Sequence, residues 1–165
     1  MFLINELYPD QMIASVYTFD WEKAAKRYRG AIFDVDNTLV PHGAKEEEQT
    51  IQLFERLHGL GIQTMLVSNN GEGRVKPFAD RLHTDYVHKA GKPKKRGYEQ
   101  AIEKLGLQRG EILFVGDQIF TDIWGANRAG LFTILTEPVD PATDEIQIVV
   151  KRWLEKPFRR VKNKK

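Results

Sequence analysis

Ala31-Ile32-Phe33-Asp34-Val35-Asp36-Asn37-Thr38-Leu39 is the stretch on which the fold turns. Residues 31–35 form a short apolar run of the kind that reads as a buried strand. The run leads directly into two carboxylates, Asp34 and Asp36, and then into a polar turn. In an open parallel sheet, ligands gather at the carboxyl ends of the strands. Two carboxylates close together repel, and burying either without a partner is costly. A divalent cation at the strand end relieves both problems.

Further apolar runs follow at 62–67, 86–87, 112–115 and 131–135. Between them the apolar residues Ile51, Phe54 and Leu57, with Leu53, of 45–58, and Tyr98, Ala101, Ile102 and Leu105 of 95–105, recur at helical spacing. Gly106 and Gly130 supply stop signals, the second for a helix over 121–129. Strands alternating with helices predict an α/β fold with a central parallel sheet in three layers. Before the core, Asp10 is expected to cap a short helix carrying Met12, Ile13, Val16 and Tyr17, so residues 1–30 read as a helical extension. The expected organisation is one domain over 1–150 and a basic tail over 151–165.

Three other polar clusters sit where apolar runs end. Val67-Ser68-Asn69-Asn70-Gly71 offers a hydroxyl and amides that can face an anion, although taken alone it also fits a plain turn. Gly91-Lys92-Pro93 presents a lysine that can neutralise a phosphate, or else a solvated helix start. Val115-Gly116-Asp117, followed by Asp122, brackets a loop suited to oxygen-seeking Mg²⁺, with Asp122 alternatively a helix cap. His42 lies close to the first cluster and is a candidate substrate contact. The four histidines show no metal-binding spacing.

Composition narrows the classes. The chain has 165 residues and no cysteine, which excludes disulfides, thiolate nucleophiles and cysteine-bound metal. Hydrophobic residues at 41% and charged residues at 29% fit an ordinary globular chain rather than a disordered one. No apolar run is long enough to span a bilayer, and Met1–Leu7 lacks the basic lead of a signal peptide. The net charge of +2 conceals two parts. Residues 151–165 hold eight Lys/Arg against Glu155, a net +7, and the other 150 residues carry −5. A basic tail on an acidic body points to an anionic partner.

Together the four clusters resemble the haloacid dehalogenase-like (HAD) phosphohydrolase superfamily: Asp-x-Asp-x-Thr, then Ser, then Lys, then Gly-Asp with a later Asp. The resemblance covers about residues 30–136. It implies that Asp34 is the nucleophile, taking the phosphoryl group as an aspartyl phosphate, and that Asp36 is the general acid/base. It further implies that Thr38 holds the loop and that Ser68, Asn69 and Lys92 bind phosphoryl oxygens. Lys89 is the runner-up for the lysine. Mg²⁺ is implied at Asp34, Asp36 (through its carbonyl) and Asp117, with Asp122 adjacent. Only 32 positions separate Asp36 from Ser68 and 24 separate Ser68 from Lys92, so no cap domain fits and the site is expected to be open.

Asp-x-Asp-Asn-Thr-Leu-Val, Val-Ser-Asn-Asn with Arg74-Val75, and Gly-Asp-Gln are similar to the subfamily IIIA, YqeG-type group, related to mitochondrial phosphatidylglycerophosphate phosphatases. Gly91, where another lysine is expected, departs from that pattern. The narrower resemblance implies release of phosphate from phosphatidylglycerophosphate. The tail, with no evident part in the chemistry, then suits an anionic membrane surface through its cations, Trp153 and Phe158, or else is a free, solvated segment. The expected location is the cytoplasm, at the inner membrane face if the tail binds lipid. A soluble phosphatase for phosphoprotein, nucleotide or sugar phosphate remains open. So does a non-catalytic, RNA- or ribosome-associated binding protein, although no aromatic-rich strand motif supports nucleic acid as a partner. The oligomeric state is open.

Overall fold

The computed structural model describes residues 2–162. The elements run α1 (Phe2–Asn5), β1 (Gln11–Ile13), α2 (Trp21–Ala24), β2 (Gly30–Phe33), α3 (Glu48–Gly59), β3 (Gln63–Val67), α4 (Glu72–Leu82), β4 (Asp85–Val87) and α5 (Lys95–Leu105). They continue through β5 (Ile112–Gly116), a π-helical stretch (Ile119–Ile123) leading into α6 (Trp124–Arg128), β6 (Phe132–Thr136) and α7 (Ile146–Glu155). One six-stranded sheet has the order β1-β6-β5-β2-β3-β4, every pair parallel. This is the Rossmann-like α/β fold expected from the alternation of elements.

The chain leaves β2 on one side towards β3 and β4, then crosses to β5 and β6 on the other. β2 is therefore the strand at which the order reverses, and such a switch point is where open α/β sheets bind ligands. Its residues alternate between two cores. Ala31 and Phe33 pack with Leu53, Phe54, Leu57, Val75 and Phe78 beneath α3 and α4. Ile32 packs with Met65, Tyr98, Ala101 and Phe114 beneath α5 and α6. Phe33 lies between two rings, its centroid 5.6 Å from Trp21 and 5.2 Å from Phe54. Such pairs contribute about 0.5–1.5 kcal/mol each beyond buried area.

The N-terminal segment differs from the sequence expectation. The helix expected after Asp10 is a strand instead: Gln11, Met12 and Ile13 pair with Ile134, Leu135 and Thr136. Met12 packs against Leu135 and Ile119 while Ile13 joins the opposite core, the period-two pattern of a strand. Three residues are too few for periodicity to separate strand from helix. Asp10 caps no helix; its Oδ2 accepts from the Thr133 amide at 2.8 Å and so fixes the new edge. Helix α4 fills the interval between Ser68 and Lys92, where the sequence leaves room for about one helix and one strand; its bounds are not readable in advance, because Gly73 and Pro77 lie within it and both disfavour helix interiors. Its Val75, Phe78, Ala79 and Leu82 are nonetheless buried at helical spacing.

The basic segment is also not a free tail over its described part. Lys151 to Glu155 complete α7, and the chain then folds back until the Lys162 amide donates to the Pro9 carbonyl at 2.9 Å. Among the described residues, no helix is long and apolar enough to cross a membrane.

Candidate active site

Asp34 continues the β2 ladder, its amide donating to Val115 O at 3.0 Å, so its side chain emerges at the carboxyl end of the central strand. The next residues turn sharply. Asn37 has φ of 57°, a region that asparagine tolerates better than most, and its amide donates to Val40 O at 2.7 Å.

Lys92 stands at the centre of the arrangement. Its buried Nζ donates to Asp34 Oδ1 at 2.8 Å and to Asp122 Oδ1 at 2.6 Å. Asp34, Asp117 and Asp122 are all buried, and one oxygen from each lies within 4.8 Å of the others. The Thr38 hydroxyl lies 3.0 Å from Asp117 Oδ1 and 3.3 Å from Asp34 Oδ2, bridging two loops. Burial raises Asp34 to about 7, against the pull of Lys92 and with the push of Asp117. Burial and repulsion from Asp122 raise Asp117 to about 6, and burial and repulsion from Asp34 raise Asp122 to about 6. Burial works against the Lys92 ammonium, but Asp122 and Asp34 outweigh it and hold the lysine charged.

Three buried carboxylates thus face two cations, Lys92 and Arg152. An all-oxygen donor set with surplus negative charge fits Mg²⁺, because a divalent ion favours ionised carboxylates where burial does not.

The second carboxylate of the pair faces elsewhere. Asp36 accepts from the Gly43 amide at 2.8 Å, Asn70 Nδ2 at 2.5 Å and Arg74 at 2.9 Å. Burial opposes its charge, but the Gly43 N–H and the Arg74 guanidinium prevail and hold its pKa below the ordinary carboxylate range. Its side chain does not join the three-carboxylate cluster. Ser68 is buried, and its Oγ accepts from the Asn70 amide at 3.1 Å. Asn69 braces the lysine: Oδ1 accepts from the Lys92 amide at 2.7 Å and Nδ2 donates to the Lys92 carbonyl at 3.3 Å. Lys89 takes no part in these contacts. Asp122 caps no α-helix; it sits in the π-helical stretch, whose wider turn presents the carboxylate to Lys92 and to the Gln118 amide, 3.2 Å away.

Gly116 makes this packing possible. A Cβ there would stand 2.4 Å from Asp122 Cβ and 2.6 Å from its carboxylate. Gly116→Ala is therefore expected to cost about 1–3 kcal/mol by overpacking and to displace Asp122 from Lys92. Denaturant unfolding at parental stability would contradict this.

Arg152 is the contact that sequence reasoning missed. Its guanidinium donates to Asp117 Oδ2 at 2.5 Å, to Asp117 O at 3.1 Å and to Asp144 at 2.5 Å. Asn37 Nδ2 reaches the same Asp144 at 2.6 Å. The expectation that residues 151–165 stand apart from the chemistry is corrected by this pair. Within a basic run every cation looks alike; the available signal was the spacing of Ile148, Arg152 and Glu155 along one helix face.

Asp34, Asp36, Ser68, Asn69 and Lys92 line one cleft of about 300 Å³, together with His42 and the α7 residues Ile148 and Lys151. No inserted domain covers it: α3 with β3, and α4 with β4, fill the two intervals where a cap would enter.

A family model described as "Hydrolase: haloacid dehalogenase-like hydrolase" matches residues 47–130. The "Probable phosphatase YqeG" of Bacillus subtilis is 36% identical over 133 residues, 79% of this chain and 77% of that protein. "Phosphatidylglycerophosphate phosphatase 1, chloroplastic/mitochondrial" of Arabidopsis thaliana is 27% identical over 175 residues, 93% of this chain and 50% of that protein. This chain thus spans about half the length of the Arabidopsis relative. Among solved structures, a HAD superfamily (subfamily III A) hydrolase from Legionella pneumophila superposes with a TM-score of 0.57 at 21% identity, over 79% of this chain and 74% of that one. That last likeness concerns the fold.

Proposed function

The chain belongs to the haloacid dehalogenase-like hydrolase family and is a phosphoric monoester hydrolase; from that premise we propose that Asp34 is its nucleophile and the phosphate of phosphatidylglycerophosphate its substrate. The observation that carries the chemistry is the buried Asp34–Lys92–Asp122 constellation at the end of the switch-point strand, with Asp36 two residues on.

An Asp34 oxygen attacks phosphorus, a P–O bond to Asp34 forms, and the bond to the leaving oxygen breaks. Asp36 gives that oxygen a proton. Water then attacks the aspartyl phosphate, Asp36 takes a proton from it, and inorganic phosphate leaves with Asp34 restored. The Arg74 pair favours the ionised form of Asp36, which suits the base step; the acid step requires that pair to open. Lys92, with the Ser68 hydroxyl and Asn69, meets the phosphoryl oxygens. Asp34, the Asp36 carbonyl and Asp117, with Asp122 adjacent, would hold Mg²⁺, which would supply positive charge to the transferring group when bound.

Two observations support a lipid headgroup: the similarity to the Arabidopsis phosphatase and an uncapped cleft that admits a surface-bound substrate. Such a substrate places the protein at the inner face of the membrane. Incubation with phosphatidylglycerophosphate in mixed micelles is expected to release phosphate with Mg²⁺ and to stop when the metal is chelated. Efficient turnover of soluble phosphomonoesters with none of the lipid would replace the lipid reading with a soluble phosphatase. Binding of either without turnover would remove the catalytic one.

A further inference from the structure

Helix α7 is amphipathic, but its apolar side faces outward. Ile148, Arg152 and Glu155 form its inner face: Arg152 meets Asp117 and Asp144, and the buried Glu155 accepts from the Phe120 amide at 2.9 Å. On the opposite side stand Ile146, Val149, Val150, Trp153 and Leu154, at positions i, i+3, i+4, i+7 and i+8. Ile146 is 83% exposed and Trp153 66%, and the other three are about half exposed. A surface helix normally turns such a stripe towards the core. A contiguous apolar face left outside marks an interaction surface.

We propose that the outer face of α7 is an interfacial surface that seats the protein on an anionic lipid bilayer, beside the mouth of the cleft. The charge around the stripe selects this occupant. Residues 146–162 hold six Lys/Arg against the single acid Glu155, which is turned inward; Arg152, Arg159 and Lys162 pair with Asp117 and Asp144, with Glu137 and with Asp10, which leaves Lys151, Lys156 and Arg160 for the surface. Exposed Lys151, Lys156 and Arg160 border the apolar face or follow it, as on helices that lie in a membrane interface. The exposed acid at the border, Glu145, precedes the helix and faces His42 at 3.7 Å. Position supplies the second argument. Ile148 and Lys151 of the same helix line the cleft, and Arg152 ties the helix to Asp117. A surface lying against Trp153 is thus held in fixed relation to the site. This inference rests on the lipid reading for its purpose but not for its test.

The test uses the full chain with mixed phosphatidylglycerol–phosphatidylcholine vesicles and with phosphatidylcholine vesicles alone. The parent is expected to sediment with the anionic vesicles and to show a blue shift in fluorescence as Trp153 leaves water. An Ile146→Ser/Val150→Ser/Trp153→Ser variant is expected to lose partitioning by about tenfold or more, while keeping the parent's unfolding temperature and its turnover of p-nitrophenyl phosphate. Equal vesicle binding by parent and variant would overturn the proposal. So would a parent that ignores vesicles but sediments as a dimer which the variant dissociates, since a second copy would then cover the face. Vesicle binding without lipid hydrolysis retains the surface and removes the lipid substrate. Hydrolysis in micelles without vesicle binding does the reverse.

Discussion

Asp34→Asn is expected to abolish hydrolysis, with turnover falling by about four orders of magnitude or more, the scale on which loss of a covalent nucleophile acts. The amide is nearly isosteric but carries no charge and attacks phosphorus poorly. The same change relieves strain in the ground state. Asp34 shares a buried space with Asp117 and Asp122, and burial, with repulsion from Asp117, already raises its pKa to about 7. Neutralising it leaves Lys92 paired with Asp122, 2.6 Å away. The fold should therefore survive, and the variant is expected to unfold at or above the parent's temperature. A phosphate-release assay with purified variant, alongside thermal unfolding, checks both. Turnover within a hundredfold of the parent would take the nucleophile's role from Asp34.

Lys92→Met is expected to damage activity and stability together. The lysine is buried, and its ammonium is the counter-charge for two carboxylates. Removing one partner of a buried ion pair costs about 3–5 kcal/mol, because the other charge stays behind without compensation. Methionine fills the volume, so the loss measures charge rather than a cavity. Losing one charged donor to the phosphoryl oxygens should lower kcat by about 10²–10³-fold. Chemical denaturation and steady-state kinetics on the same preparation test this. A parental denaturation midpoint combined with near-parental kcat would show that Lys92 serves neither purpose.

Strands β2 to β6 were legible because each holds a short apolar run followed by polar residues, and that contrast survives in a single sequence. The same contrast located Asp34, Ser68, Lys92 and Asp117, all of which the structure gathers at one sheet edge. What stayed hidden depended on long-range partners. Gln11–Ile13 is a strand because β6 offers an edge, and three residues carry no period of their own. Helix α4 is stabilised by what Phe78 and Leu82 bury, against the local preference of Gly73 and Pro77. Arg152 lies 35 positions from Asp117, and nothing in a run of cations marks the one that turns inward. The composition did show that the C-terminal segment is unusual; the structure divides its charges between an inner pair and an outer rim.

The order in which a ribosome makes this chain separates in time the segments that build the site. Synthesis proceeds from the N-terminus, so β1 exists long before β6, the edge to which it binds. Asp34 and Lys92 likewise exist long before Arg152 closes on Asp117. The Pro9 carbonyl waits longer still, for the Lys162 amide. A chain that has reached β6 but not α7 holds Asp34, Lys92, Asp117, Asp122 and all six strands, yet leaves Asp117 and Asp144 without their shared cation, so the last helix to emerge sets the charge balance of a site built before it.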